Sequence, residues 1–222
     1  MSDPQVSPDQ PMVRVRKARK NNPEKTREDI LQAAIQEFVE QGLAGARVDA
    51  IADRTATSKR MIYYYFGSKE QLYLECLIKL YGDIRKTEHS LDLESLSAEQ
   101  AILRLVEFTF DHHDLNVDFV RIVCTENIHY GEFVKQAPVI GEMSSLVLEA
   151  LGRVLRRGVE EGVFRPGIEV IDLHMLMSSF SFYRVSNRHT FGEIFQIDLS
   201  DEAIKVRHKQ MLCEAVLNYI RA

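Results

Sequence analysis

The sequence predicts an all-α protein of about nine helices, with a small N-terminal three-helix unit followed by a larger helical body. Three observations carry this. Apolar residues recur at spacings of three and four along most of the chain, the period of a helix with one buried face. No alternating strand pattern exceeds three or four residues, and no internal repeat is found. The periodic stretches are bounded by Ser, Asn, Gly or Pro, where helices start and stop.

Residues 1–22 carry Pro4, Pro8 and Pro11, few apolar groups and clustered charge, and are expected to be a disordered basic arm. From Thr26 a helical stripe runs through Ile30, Ala33, Ala34, Ile35, Phe38 and Val39, and Gly42 stops it. Val48, Ile51 and Ala52 are the inward face of a second, short helix. Ser58 is a suitable N-cap for a third, and Ser68 for a fourth that continues through Leu72, Cys76, Ile78 and Leu80 to about residue 89. After a linker at 90–96, Ser97 with Gln100 forms a capping box for a helix through Ile102, Leu105, Val106, Phe108 and Phe110. Asn116 opens the next, with Phe119, Val120, Ile122 and Val123 inside, and Gly131 and Pro138 interrupt. A helix at about 140–161 ends at Gly162, and Pro166-Gly167 makes a turn. Residues 169–187 form another helix, 188–199 a loop, and about 201–220 the last helix.

At 222 residues, 45% hydrophobic and 27% charged, the composition is that of a globular protein of one large or two small domains. There is no run of 18 apolar residues and no apolar segment near the N-terminus, so neither a spanning helix nor a secretory signal is expected; the expected location is the cytoplasm. Cys76, Cys124 and Cys213 are odd in number and far apart, a pattern of reduced thiols rather than a disulfide framework or zinc site. The net charge of −5 is unevenly spread. Residues 1–70 carry 12 bases against 10 acids, and the other 152 carry 16 against 23. Between 12 and 27, seven bases face only Glu24. Such asymmetry suits a chain that meets phosphate at one end only.

Residues 46–75 hold the chemistry. Two short helices joined by a tight turn are suited to laying the second in a DNA major groove while the first crosses the backbone. That second helix, from Ser58 to about Tyr65, has Met61, Ile62 and Phe66 to pack inward. Lys59, Arg60, Tyr63 and Tyr65 are expected on its exposed surface, with Tyr64 open between core and contact. Tyrosine hydroxyls donate to phosphate, and Arg or Lys can read guanine. Lys69, in the first turn of the following helix, makes a phosphate anchor with the backbone N–H groups there. The candidate DNA-binding residues are Arg47, Ser58, Lys59, Arg60, Tyr63, Tyr65 and Lys69. The basic residues Arg14, Arg16, Lys17, Arg19 and Lys20 either follow phosphates or enter the minor groove, or serve only as a solubilising tail.

The segment from about Thr26 to Leu74 resembles the N-terminal domain of the TetR (tetracycline repressor) family of transcriptional regulators. Ile51-Ala52, Ser58, Tyr63-Tyr64, Phe66, Ser68-Lys69-Glu70 and Leu72 carry the resemblance. Four positions depart from the family pattern. Ala56 stands where a turn Gly is usual, and Ala46 where a Ser or Thr cap is usual, with Arg47 beside it able to take over the phosphate contact. Tyr65 stands in place of a common His, and Met61 in place of a Thr, so no operator sequence carries over.

The resemblance implies a bacterial regulator divided into an arm at 1–22, a helix-turn-helix DNA-binding unit at 23–70 and a ligand-sensing, dimerising body at 71–222. It implies a homodimer through helices 169–187 and 201–220, which would place two recognition helices about one DNA turn apart on a near-palindromic operator. Residues 189–195, with Phe191 and Phe195, are expected either on the partner, over a cavity, or against their own subunit. Inward polar groups on apolar helices mark the candidate pocket. Phe108, His112, Phe119, Arg121, Asn127, Met177 and Phe180 are its candidate ligand-binding residues, with His113, Glu126, Tyr130 and Tyr183 beside them. Arg121 suggests a carboxylated or aromatic small-molecule effector. Ordinary core packing remains the alternative for the aromatic and Met positions.

Asp111, His112, His113 and His129 do not read as a metal site, because adjacent helix positions point about 100° apart. No cofactor is expected. No G-x-S-x-G, phosphate-binding P-loop, G-x-G-x-x-G or H-E-x-x-H occurs, so no enzyme is expected. The leading expectation is a ligand-released repressor. The alternative is a DNA-binding regulator without a small-molecule effector, constitutive or governed by a protein partner.

Overall fold

A computed structural model describes residues 22–222; the arm expected at 1–22 therefore lies almost wholly outside the described residues, as do Arg14, Arg16, Lys17, Arg19 and Lys20. The described chain is all-helical, in the order α1 (Pro23–Gly45), α2 (Val48–Thr55), α3 (Lys59–Phe66), α4 (Lys69–His89), α5 (Ala98–Leu115), α6 (Val117–Ile128), α7 (Pro138–Glu160), α8 (Val170–Ser186), α9 (Arg188–Phe195) and α10 (Glu202–Ile220), with a 3-10 turn at Val134–Gln136. The helix beyond the nine expected, α9, occupies the stretch expected to be loop. Its residues lack a buried face of their own, so the hydrophobic period gave little sign of it.

The caps behave as their chemistry requires. Ser58, Ser68 and Ser97 each accept from a backbone N–H three residues on, and Gln100 returns the bond to Ser97. Gly42 takes φ 66°, ending the regular part of α1.

Among the described residues, three apolar clusters hold the helices together. The first joins α1–α4 around Ile30, Phe38, Ile51, Ile62, Phe66 and Tyr73, and also takes in Phe133, Ala137 and Ile140 from the body. The second packs α5, α7, α8 and α10 around Phe110, Leu155, Phe164, Leu173 and Val216. A small third cluster, Phe119, Val120 and Val185, lies between them. α4 thus has its N-terminal half in the DNA-facing core, while its flank meets α7. Buried Arg184 ties the body together: it donates to Leu199 O (2.7 Å) and His208 Nδ1 (3.1 Å) and lies over the Phe110 ring. The three cysteines are unpaired, and burial raises the Cys76 thiol well above its ordinary range. No helix of the described residues is long and apolar enough to cross a membrane.

Candidate nucleic-acid interface

α2 lacks a side-chain N-cap of its own, since Ala46 is buried and Arg47 makes no capping bond. α1 supplies the missing acceptor. Glu37, only 3% exposed, accepts from Arg47 N (3.0 Å) and pairs with Arg54 Nη2 (3.2 Å), which also reaches Glu40 (2.7 Å). Sequence reasoning did not find Glu37; a carboxylate on the otherwise apolar face of a helix was the available signal. The turn between α2 and α3 passes through Ala56 in the left-handed conformation (φ 51°, ψ 32°), so the turn keeps the geometry a glycine would give.

The orientation of α3 follows from its two buried residues. Ile62 and Phe66, four apart, mark the inward face. At 100° per residue, Arg60 and Tyr64 stand on the opposite side. Tyr64 is 78% exposed, Tyr63 is 41% exposed, and Met61 sits at the edge. Tyr65 instead packs against the first core, edge-on to Tyr64. Tyr65, expected on the exposed surface, is thus partly buried, and Tyr64, left open between core and contact, is the outward residue; the same 100° step shows it. Lys59 and Arg47 are exposed flanks, and Lys59 is paired with Asp49 of α2 (3.1 Å). Ser58 is committed to capping α3. Lys69 donates to Leu43 O (2.8 Å) and Ala46 O (3.3 Å), fastening the end of α1 to the start of α4. An ammonium has three N–H groups, so one remains for phosphate.

The expected ligand-binding residues separate into three groups. Phe108, His112 and Phe119 come together: the His112 ring lies 5.8 Å from each of the other two. Met177 and Phe180 belong to the second core, with Phe180 beside His208. Arg121 and Asn127 are exposed, which corrects their assignment to a pocket. Arg121 is 200° around α6 from buried Phe119, and Asn127 folds its amide back onto Val123 O (2.9 Å). Tyr130 is also exposed. Glu126 is buried but fully used, accepting from Phe133 N (2.7 Å), Val134 N (3.0 Å) and Tyr73 Oη (3.3 Å). Among the described residues no group of three His, Cys, Asp or Glu is placed to hold a metal.

A three-helix unit with one bare aromatic and basic face, joined through α4 to a helical body, defines a helix-turn-helix DNA-binding regulator. The chain belongs to the tetR family of bacterial regulatory proteins, matched over residues 30–76, and residues 99–216 match the tetracyclin repressor-like C-terminal domain. It is 31% identical to the HTH-type transcriptional repressor NicS of Pseudomonas putida, over 89% of this chain and 93% of that one. It is 30% identical to the repressor SCO4008 of Streptomyces coelicolor, over 74% and 80%. In fold it is similar to a Saccharomonospora viridis transcriptional regulator in complex with choline (TM-score 0.68, 20% identity, 90% of this chain and 99% of that one). FadR of Bacillus subtilis in complex with stearoyl-CoA is also similar (TM-score 0.62, 19% identity, 84% and 97%).

Proposed function

We propose that this protein is a homodimeric repressor, held on a near-palindromic operator by α3 and released by a small molecule bound within its body. The observation that carries the reading is the outward face of α3, where Arg60, Tyr63 and Tyr64 stand free of the core. Arg60 supplies donors for base edges, the tyrosines reach phosphates, and Arg47, Lys59 and Lys69 provide positive charge around them. Residues 23–70 serve as the DNA-binding unit, 1–22 as an arm and 71–222 as the sensing body. Repression is supported by the relatives named as repressors. An effector is supported by the choline and stearoyl-CoA complexes of similar folds.

Dimerisation is supported by apolar side chains exposed on adjoining helices: Ile171 and Met175 of α8, Val206, Met211 and Tyr219 of α10, and Phe195 of α9. Two copies of α8 and α10 make a four-helix bundle, and α9 lies beside it. The two α3 helices then stand roughly 34–36 Å apart, one turn of DNA. Effector binding shifts α4, changes that distance and weakens operator binding by a coupling of about 1–3 kcal/mol.

The test is a mobility-shift titration with DNA from upstream of the protein's own gene, backed by random-sequence selection. Wild type binds a two-fold site, and Arg60→Ala with Tyr64→Ala loses it. No selected sequence at low salt, or equal binding by the double variant, defeats the reading.

A further inference from the structure

Where α4, α5, α6 and α8 meet, the body buries several polar groups outside the DNA-facing unit. Arg85 on α4 pairs with Glu88, and the two side chains are only 14% and 9% exposed. His112 and His113 on α5 lie with ring centroids 6.0 Å apart. Phe119 of α6 approaches both histidines, and Phe182 of α8 lies 5.9 Å from His113.

Hydrogen bonding determines which atoms are donors. Asn116 Nδ2 donates to the His112 carbonyl (2.8 Å); a carbonyl only accepts, so that amide atom is the nitrogen. The same nitrogen lies 3.2 Å from His112 Nδ1, which must therefore be the acceptor. His112 thus carries its proton on Nε2. Among the described residues Nε2 of His112 and Nε of Arg85 are buried without a hydrogen-bond partner. Both are N–H donors. Burial, then the charges of His113 and Arg85, hold His112 down to a pKa of about 4, so it stays neutral at pH 7. Buried donors left unpaired are costly. Arg85 is one helical turn along α4 from Tyr81, whose ring packs on Phe119 (5.2 Å), and Phe119 lies 5.8 Å from His112, so the two open donors belong to different helices that border the same aromatic cluster.

We propose that Arg85 and His112 form the recognition point of the effector site and that they take the carboxylate of a small planar ligand, whose ring lies among Phe108, Phe119 and Phe182. The proposal rests on the effector-responsive reading above. It replaces the solvent-exposed Arg121 with a buried arginine. The guanidinium supplies charge, the imidazole a second donor, and Glu88 keeps the unoccupied site from carrying a bare positive charge. A ligand held here touches α4, the helix that continues to the DNA-facing core.

Calorimetry on the full chain at pH 7 tests this with benzoate, its neutral analogue benzamide, and choline. Saturable benzoate binding at a Kd of about 1 mM or tighter is expected, with benzamide and choline roughly tenfold weaker or worse. His112→Phe, and separately Arg85→Gln with Glu88→Gln, are expected to weaken benzoate roughly tenfold while circular dichroism is unchanged. The ligand comparison needs no variant, so a misfolded mutant leaves the test intact. No saturable benzoate binding, equal binding of benzamide, a preference for choline, or folded variants that bind like wild type overturn the proposal. A chain that binds a specific operator yet ignores benzoate defeats this inference alone. A chain that takes benzoate through Arg85 but binds no operator defeats the repressor reading alone.

Discussion

At Ala56 the backbone sits at φ 51°, where a Cβ crowds the following carbonyl and costs about 1–2 kcal/mol. Glycine removes that clash but gives back about half in unfolded-chain entropy. Ala56→Gly is therefore expected to stabilise the protein by about 0.5–1 kcal/mol, read as a higher urea midpoint. Glu37 works in the opposite direction. Glu37→Ala leaves Arg47 N without its acceptor and Arg54 without its buried partner, and should cost about 2 kcal/mol in the same assay. A third residue sets the pH response. Burial, then the neighbouring His113 and Arg85, lowers His112 from 6.5 to about 4. His113 and His174 are displaced in the same direction, again chiefly by burial. Below about pH 6.5 the unfolded chain binds protons that the folded chain refuses until near pH 4. Stability is thus fully present above 6.5 and is lost as the pH falls from 6.5 towards 4. Urea titrations across that interval should show the decline, and His112→Phe should flatten it; an unchanged slope would refute the assignment.

Within elements, the useful distinction is between neighbours on one helix. Tyr64 projects from α3 while Tyr65 fills space against the first core. Tyr64→Ala should weaken operator binding with little change in thermal midpoint. Tyr65→Ala should lower the midpoint first, because it opens a gap beside Phe66. Paired mobility-shift and melting measurements separate the two; loss of stability from Tyr64→Ala would mean that α3 is turned differently. α6 teaches the same lesson. Its inward row of Phe119, Ile122 and Glu126 follows the helical period, and Arg121 falls on the far side by that same period. Residue type alone suggested a pocket arginine; the angular position decided otherwise.

Over the whole molecule, the exposed apolar rows of α8 and α10 are the main feature that its own core leaves unused. Placing charge there, with Met175→Glu and Val206→Glu together, is expected to convert a dimer into a helical monomer in light-scattering chromatography and to cost most of the operator affinity. A monomeric wild type at micromolar concentration would exclude the proposed dimer. α4 links this assembly to the DNA face: Tyr73 packs with Phe38 and Phe133 and donates to Glu126, so a shift in α6 or α7 is felt in the first core.

By itself the sequence determined the helical class, the order of the main helices, the helix-turn-helix and the family, because these depend on local chemistry: period, caps, turn residues and the types on one short helix. Only the tertiary structure decided which buried polar groups are already satisfied. Glu126 and Arg184 are consumed by backbone and ring partners from distant segments, whereas Arg85 Nε and His112 Nε2 are left open. It also decided that 188–195 is a helix and that Glu37 of α1 caps α2. Such facts depend on which segments meet across tens of residues of chain, and no local pattern encodes the partner at the other end of a long-range hydrogen bond.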